Sequence, residues 1–279
     1  MDYATADAFV WTSARLADRL RYAHLFHGAP RAPVVVALRA HQNADGGIGN
    51  AFEPDLRTPS SQPAATLYAL EALAEIGAHE DPLADELLGW VAGIAEPDGA
   101  IPFMLPAGLE HPRAPWWQPE ASSFLTAGLA AAAHALHRGG DWVERATAWS
   151  WERVEGEHER SPYWWRYLVA FLNAVPDGDR AHAALERVRE PLLEAVALDP
   201  AAGGELLKPI ELAPEPGSRV AALFDGAVVE RHLDALAAEQ RPDGGWMFDF
   251  PDWSPAARAE WRGIVTIQAL TVLRAYGRL

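Results

Sequence analysis

Acidic side chains in two widely separated loops are the first candidates for chemistry in this sequence. Glu53 and Asp55 lie in the segment "AFEPDLRTPSS", and Asp249 and Asp252 lie in "MFDFPDWSPAA". Carboxylates brought close together in a poorly hydrated site raise one another's pKa, and a carboxyl that stays protonated can act as a general acid. We therefore predict these four residues as candidate catalytic acids, provided that the fold brings the two loops together.

A structural role for the same acids is the alternative. Asp55 and Asp252 each follow a proline at matching places in a repeat, so they can cap a helix or hold a loop in place. Glu53 and Asp249 do not recur in this way, yet either can be a solvated loop acid. The sequence leaves both alternatives open.

Tryptophans form the second candidate set, with 12 of them in 279 residues. One pair lies in a proline-rich loop and another lies within "SPYWWRYL". Aromatic faces line pockets for apolar ligands and stabilise cationic centres, and they also stack on sugars or pack between helices. We predict a substrate-binding role for Trp116, Trp117, Trp164, Trp165, Arg57 beside the first acidic loop, and Glu260 in the last helix.

Metal and cofactor chemistry finds little support in the sequence. His24 and His27 share a predicted helix face, as do His134 and His137, and such pairs can hold a metal if an acidic ligand joins them. Nothing in the sequence locates that third ligand, and packed or solvated histidines are the alternative. Glycine-rich phosphate loops and the nucleophile-elbow pattern are absent. We predict no metal and no cofactor.

Composition limits the partners. The net charge is −16, with 39 acidic and 23 basic residues, which argues against nucleic acids and anionic membrane surfaces. Cysteine is absent, so disulfides and thiolate zinc sites are excluded. The first residues lack the basic and apolar regions of a secretion signal, and no apolar run is long enough to span a bilayer. We expect a cytoplasmic protein with no membrane segment and no nucleic-acid partner; the sequence does not predict its oligomeric state.

Apolar periodicity predicts helices almost throughout, and therefore an all-α fold in one domain, 1–279. We see no alternating strands, although the run "PVVVAL" is also compatible with a buried strand. Proline-rich segments 102–119 and 209–217 are predicted loops. The predicted helices are 6–26, 32–42, 60–77, 82–95, 119–138, 141–155, 162–174, 178–197, 217–239 with a possible break at Asp225, and 255–276.

An internal repeat organises these helices. The pattern Gln-x-x-Asp-Gly-Gly occurs at 42–47 and at 240–245, and each copy precedes a helix written Thr-x-x-Ala-Leu-x-x-Leu-x-x-x-Gly. A weaker copy lies at 95–103 and a degenerate one at 198–207. Repeated helical hairpins bury their apolar faces by packing side by side. Because glycine tolerates left-handed backbone angles, a positive φ at Gly47 or Gly245 would make replacement by alanine cost about 1 kcal/mol or more.

The second copy, "QRPDGGW", resembles the QW-type repeat of squalene–hopene cyclases and the related turns of protein prenyltransferase β subunits. Trp246 completes this turn, whereas Ile48 stands in place of the aromatic residue in the first copy. The resemblance implies an α/α toroid, in which an inner ring of helices surrounds a central cavity and an outer ring packs behind it. It also implies an isoprenoid-like substrate in that cavity. The low lysine content suits a bacterial member from a GC-rich genome.

The catalytic motifs of that family are missing. Class II cyclases carry Asp-x-Asp-Asp, class I synthases carry Asp-Asp-x-x-Asp for magnesium diphosphate, and the prenyltransferases bind zinc through Asp, Cys and His. This sequence has neither acidic motif and no cysteine. The resemblance therefore transfers the scaffold and assigns no catalytic residue.

Three functions stay open at this point. The first is a terpenoid cyclase-like or prenyltransferase-like protein that binds or transforms an isoprenoid-like substrate. The second is a non-catalytic helical-repeat module that binds a partner on its rim. The third is a glycan-active lyase or hydrolase, since α/α toroids host such enzymes too. An aromatic cavity with a buried acid favours the first, a filled centre the second, and an open acidic cleft the third.

Overall fold

The computed structural model describes residues 1–156, 161–202 and 206–279. The regular secondary structure in these ranges is helical, with isolated β-bridges and no strand. The helices are α1 Tyr3–Ser13, α2 Leu16–His27, α3 Ala32–Arg39, α4 Pro63–Glu75, α5 Pro82–Ile94, α6 Leu125–Ala135, α7 Asp141–Glu155, α8 Pro162–Ala174, α9 Gly178–Arg187, α10 Arg189–Glu194, α11 Pro209–Leu212, α12 Gly226–Ala238 and α13 Pro255–Ala275.

The helices follow one another around a closed ring. α4 packs on α6, α6 on α8 and α8 on α11, while α5, α7 and α9 pack against α4, α6 and α8 respectively. α12 packs on both α11 and α13, and α13 packs on α1 and α2. Arg21 of α2 then forms an ion pair with Glu75 of α4 at 3.4 Å. The predicted all-α toroid is confirmed.

Helix α6 explains how tightly the inner helices approach one another. Its sequence "LTAGLAAAAHA" is built from small residues, and 125–133 are buried without exception. A Cβ added at Gly128 would lie 2.6 Å from the ring of Tyr167 and 2.9 Å from Leu67. Glycine at this position lets α4, α6 and α8 pack at short separation.

A turn with an aspartate at its centre occurs three times. Asp45, Asp98 and Asp243 each accept a hydrogen bond from the backbone N–H two residues later, at 3.0, 3.0 and 3.2 Å. The glycine that follows each aspartate has a φ of 95°, 96° and 94° respectively. The weaker sequence copy at 95–103 is therefore a complete structural repeat. In the degenerate copy at 198–207, residues 203–205 lie outside the described residues.

Each turn is tied to the helix that follows it. Three threonines, Thr66 near the start of α4, Thr126 near the start of α6 and Thr266 in the middle of α13, accept hydrogen bonds from backbone N–H groups of the turns at 3.1, 2.8 and 3.0 Å. Eleven residues later each helix ends in a left-handed residue, with φ of 65° at Gly77, 57° at His137 and 69° at Gly277. The repeat thus fixes the position of the turn against the helix and the residue at which the helix ends.

Neither Gly47 nor Gly245 has a positive φ, so the condition for a costly replacement on that ground is not met. The left-handed residue is the first glycine of each pair, and the second is needed for a different reason. A Cβ at Gly47 would lie 2.5 Å from the indole of Trp90, and one at Gly245 would lie 2.6 Å from the ring of Phe9. The second glycine therefore leaves room for an aromatic side chain of another helix, Trp90 of α5 in the first copy and Phe9 of α1 in the second.

Several helix boundaries also differ from the predicted ranges. The predicted helix 6–26 is two helices, because the chain is extended at Ala14 and Arg15 and the Arg15 guanidinium donates to the carbonyl of Phe52 at 2.6 Å. The range 119–138 becomes helical only at Leu125, and 178–197 is interrupted at Val188.

Other local predictions can be compared directly. The break at Asp225 is confirmed: Asp225 caps α12 by accepting from Ala227 N at 2.7 Å. "PVVVAL" is helical, and the predicted loops 102–119 and 209–217 contain short helical turns, a 3-10 turn at Pro106–Glu110 and α11. Among the described helices, none has the length and apolar character needed to cross a membrane.

Candidate functional site

The first and last repeats meet where the ring closes, and we call this contact the seam. Arg57, between α3 and α4, donates to both carboxylate oxygens of Glu260 in α13, at 2.8 and 2.7 Å. Trp253 donates its indole N–H to Asp55 at 2.7 Å. These bonds join residues about two hundred positions apart, so the predicted approach of the two loops is present in the structure.

Glu53 is a deeply buried acid of the seam, with 5% of its surface exposed. One of its oxygens accepts a hydrogen bond from the Asp55 backbone N–H at 3.2 Å. Burial raises the pKa of Glu53 to about 8; repulsion from Asp55 adds to the effect and Arg15 opposes it. Glu53 is therefore protonated at neutral pH and can donate a proton.

The other three predicted acids have different surroundings. Asp55 is 4% exposed, and burial raises its pKa while the indoles of Trp261 and Trp253 oppose the shift. Asp252 forms an ion pair with Arg258 at the surface. Asp249 is wrongly predicted as part of this cluster: its side chain is 68% exposed and lies 3.6 Å from Lys208.

The four predicted tryptophans differ in their exposure and in their contacts. Trp117 is buried and stacks on Phe103 at 4.4 Å between ring centroids. Trp164 is half-buried and lies 5.9 Å from Phe124. Trp165 is 2% exposed in the helical core, and its role in substrate binding stays a prediction. Trp116 is on the outer surface at 38% exposure, since it lies in the proline-rich loop away from the packed helices.

Half-buried aromatic rings connect Trp117 to the interior. Phe103 lies 5.3 Å from Phe124, and Phe124 stacks on Tyr167 at 5.2 Å with an interplanar angle of 6°. A second chain runs from the seam, where Tyr68 lies 6.2 Å from both Phe52 and Trp261. Both chains end on the inner helices, at tyrosines of α8 and α4.

A polar face on α4 was missed by the sequence analysis. Tyr68, Glu71 and Glu75 are accessible to solvent, although nearly all the rest of α4 is buried. Burial nonetheless raises the pKa of Glu71 to about 7. We infer that this accessible face of α4 borders the centre of the ring, because α5 packs on α4 as α7 and α9 pack on α6 and α8. We call the space beside it the central cavity.

Two arginines of other helices interact electrostatically with Glu71. Arg21 of α2 and Arg166 of α8 both oppose the pKa rise of Glu71, and Arg166 forms an ion pair with Glu211 at 3.1 Å. Burial also raises the pKa of Tyr167, and Glu71 adds to this shift. The signal that could have identified the face is the spacing of Tyr68, Glu71 and Glu75 on a helix otherwise made of Ala and Leu.

The paired histidines make other contacts. His24 bonds to the carbonyl of Ala29 at 2.7 Å, and His134 bonds to Thr147 at 2.9 Å. In residues 1–156, 161–202 and 206–279 no three His, Asp or Glu side chains are arranged to hold a metal ion. These histidines have packing partners that account for them.

Comparison with known proteins gives a likeness in fold. The sequence matches no protein-family model and no curated protein. A solved protein from Actinoplanes is 18% identical, with a TM-score of 0.63 over 99% of this chain and 100% of that one. The type II terpene cyclase MstE from Scytonema, without ligand, is 17% identical, with a TM-score of 0.56 over 99% and 97%.

MstE has also been solved, as a variant, in complex with geranylgeranyl dihydroxybenzoate as substrate; that structure is 15% identical, with a TM-score of 0.56 over 99% of this chain and 96% of MstE. At these identities the likeness concerns the fold. The chain therefore has a terpene cyclase-like fold along nearly its whole length.

Proposed function

We propose that this chain is a terpenoid cyclase-like enzyme of the squalene–hopene cyclase type, which takes an isoprenoid-like substrate into the central cavity and protonates it from Glu53. The observation that carries the proposal is the burial of Glu53 with a pKa of about 8. The likeness to MstE supports it, because that enzyme binds a geranylgeranyl compound within the same fold.

The chemistry starts with a neutral carboxyl. The proton passes from Glu53 to one carbon of an alkene, and the positive charge develops on the neighbouring carbon. Attack of a second alkene closes a ring, and loss of a proton from carbon ends the reaction and returns one proton to the medium. Glu53 thus replaces the absent Asp-x-Asp-Asp acid, and it must be reprotonated before the next turnover.

Aromatic rings beside Glu53 suit the cationic stage. Burial raises the pKa of Tyr68 and of Tyr167, and Glu53 raises both further. The carboxyl of Glu53 therefore interacts electrostatically with both hydroxyls. The faces of Tyr68, Trp261 and Phe52 lie around the seam. Ring faces attract a cation without acting as bases, so they stabilise it without removing its proton.

The test is turnover of farnesyl and geranylgeranyl alcohols and diphosphates, with products identified by mass spectrometry and binding followed by tryptophan fluorescence. We expect a cyclised product from the native chain, binding without product from Glu53→Gln, and unchanged turnover from the control Asp249→Asn. Equal product from Glu53→Gln would overturn the assignment of the acid. Binding without product from the native chain would favour a non-catalytic binding module, and absence of binding would overturn the whole proposal.

A further inference from the structure

A pocket of about 420 Å³ lies at the surface beside the last Asp-Gly-Gly turn. We call it the arginine pocket, and it is lined by Arg241, Pro242, Asp243, Met247, Arg258 and Arg262. Of the described seam residues, neither Glu53 nor Glu260 lines it, so it is separate from the seam. Three of its lining residues carry a guanidinium, although the net charge of the chain is −16. Pockets of about 300–1,000 Å³ hold small ligands.

The repeat does not explain these arginines. Arg241 stands where the first copy of the turn has Asn43 and the weaker copy has Glu96. Arg258 lies eight residues before the threonine that binds the turn, and the first copy has Thr58 at that place. The other two turns therefore form without a basic side chain beside the central aspartate, and the arginines belong to the last repeat alone.

The hydrogen bonds of the three guanidiniums differ. Arg262 donates from Nη1 and Nη2 to Asp243 at 2.8 and 2.7 Å, and from Nε to a backbone carbonyl at 3.3 Å. Arg258 donates from Nε to Asp252, and among the described residues its two terminal nitrogens donate to no other group. In the same part of the chain the guanidinium of Arg241 has no hydrogen-bond or ion-pair partner. Arg241 and Arg258 thus keep donors that a ligand can use.

The free donors favour a phosphate group. A planar guanidinium pairs with the oxygens of a carboxylate or a phosphate through parallel N–H bonds. Two guanidiniums around one pocket present more donors than the two oxygens of a carboxylate accept, whereas a phosphate monoester has three terminal oxygens and more negative charge. Met247, which is 37% exposed, and Pro242 add apolar surface for an organic group attached to the phosphate.

We propose that the arginine pocket binds a phosphate monoester with a small apolar organic part. Arg241 and Arg258 hold the phosphate, and Met247 and Pro242 contact the organic part. Arg262, already paired with Asp243, fixes the turn that forms one wall. This binding site goes beyond the proposed function and does not depend on it, because no residue of the protonation step takes part.

The experiment measures binding of phenyl phosphate, inorganic phosphate and benzoate to the full chain by isothermal titration calorimetry. We expect phenyl phosphate to bind about tenfold more tightly than either of the other two. Arg241→Gln, which breaks no internal side-chain bond, should weaken binding of phenyl phosphate by about tenfold. Met247→Ser should reduce the advantage of phenyl phosphate over inorganic phosphate.

Two control variants accompany these measurements. Arg145→Gln removes another exposed arginine, whose side chain bonds only within its own helix, and should leave binding of phenyl phosphate unchanged. Glu53→Gln should also leave it unchanged, which separates this site from the proposed catalytic one. Equal losses in Arg241→Gln and Arg145→Gln would reduce the effect to overall charge and overturn the site. Absence of saturable binding of phenyl phosphate would do the same, and benzoate binding as tightly would refute the preference for phosphate.

Discussion

The aspartates of the turns and Glu53 of the seam have opposite surroundings. Asp45 accepts hydrogen bonds from Gly47 N at 3.0 Å, Ser61 Oγ at 2.7 Å and Trp90 Nε1 at 3.1 Å. Glu53 accepts one bond, at 3.2 Å, and is just as buried as the core around it. A carboxylate surrounded by donors stabilises a fold, whereas one buried with few donors holds its proton and is available for chemistry.

Repetition distinguishes the two groups in the sequence. Asp45, Asp98 and Asp243 occur at the same place in three turns, so their role belongs to the repeat. Glu53 and Glu71 have no counterparts at matching positions. In a repeat protein, a buried acid that occurs only once is therefore the better functional candidate.

The largest effect is expected from breaking the turn itself. In Gly47→Ala the new Cβ would lie 2.5 Å from Trp90 and 2.7 Å from Ser61, and overpacking of this kind costs about 3 kcal/mol. The control is Gly89→Ala in α5, where an added Cβ meets nothing within 4 Å and which we expect to gain about 0.5–1 kcal/mol. Urea unfolding measures the stability of both variants. If Gly47→Ala and Gly89→Ala unfold at the same urea concentration, the turn has room to relax.

The second prediction contrasts the two kinds of acid directly. Asp45→Ala removes three hydrogen bonds and should lower the free energy of unfolding by about 2 kcal/mol. Glu53→Gln should raise it by about 1 kcal/mol at pH 8.5, because it removes the cost of ionising a buried group. Urea unfolding at pH 5 and pH 8.5 tests both changes.

The pH dependence has a definite sign. The folded pKa of Glu53, about 8, lies above its ordinary value of 4.5, so its contribution to stability is complete below pH 4.5 and is lost as the pH rises to 8. Glu53→Gln should flatten this decline of stability with pH. Ionisation of Glu71 should account for part of the decline that remains. An unchanged decline in the variant would mean that Glu53 is already ionised in the folded protein over this pH range.

The smallest effect concerns the helix ends. His137 has a φ of 57°, where Gly77 and Gly277 occupy the matching positions of the other two repeats. Because left-handed angles are strained for side chains, His137→Gly should stabilise the protein by about 0.5–1 kcal/mol, and Gly77→Ala should destabilise it by a similar amount. A melting temperature that falls in His137→Gly would indicate that the imidazole, 5.0 Å from His79, contributes more than the strain costs.

The sequence by itself determined the repeat and the helical class. The Asp-Gly-Gly turns, the threonines that follow them and the glycines at the helix ends act through bonds within one repeat, so their spacing is visible in the chain. The same local signals identified the cap at Asp225. They did not reveal the break at Ala14 and Arg15, because the bond that fixes it reaches the carbonyl of Phe52.

Only the tertiary structure decided which side chains face the central cavity. Arg21, Glu71 and Arg166 lie on α2, α4 and α8, and their charges interact only in the folded ring; no pattern within a single helix determines which other helices it will meet. Burial is likewise a property of the closed ring: Glu53 and Asp249 are both acids in loops after a turn, yet one is 5% exposed and the other has a 68% exposed side chain. The pKa of each group depends on that burial, so its chemistry appears only once the fold is known.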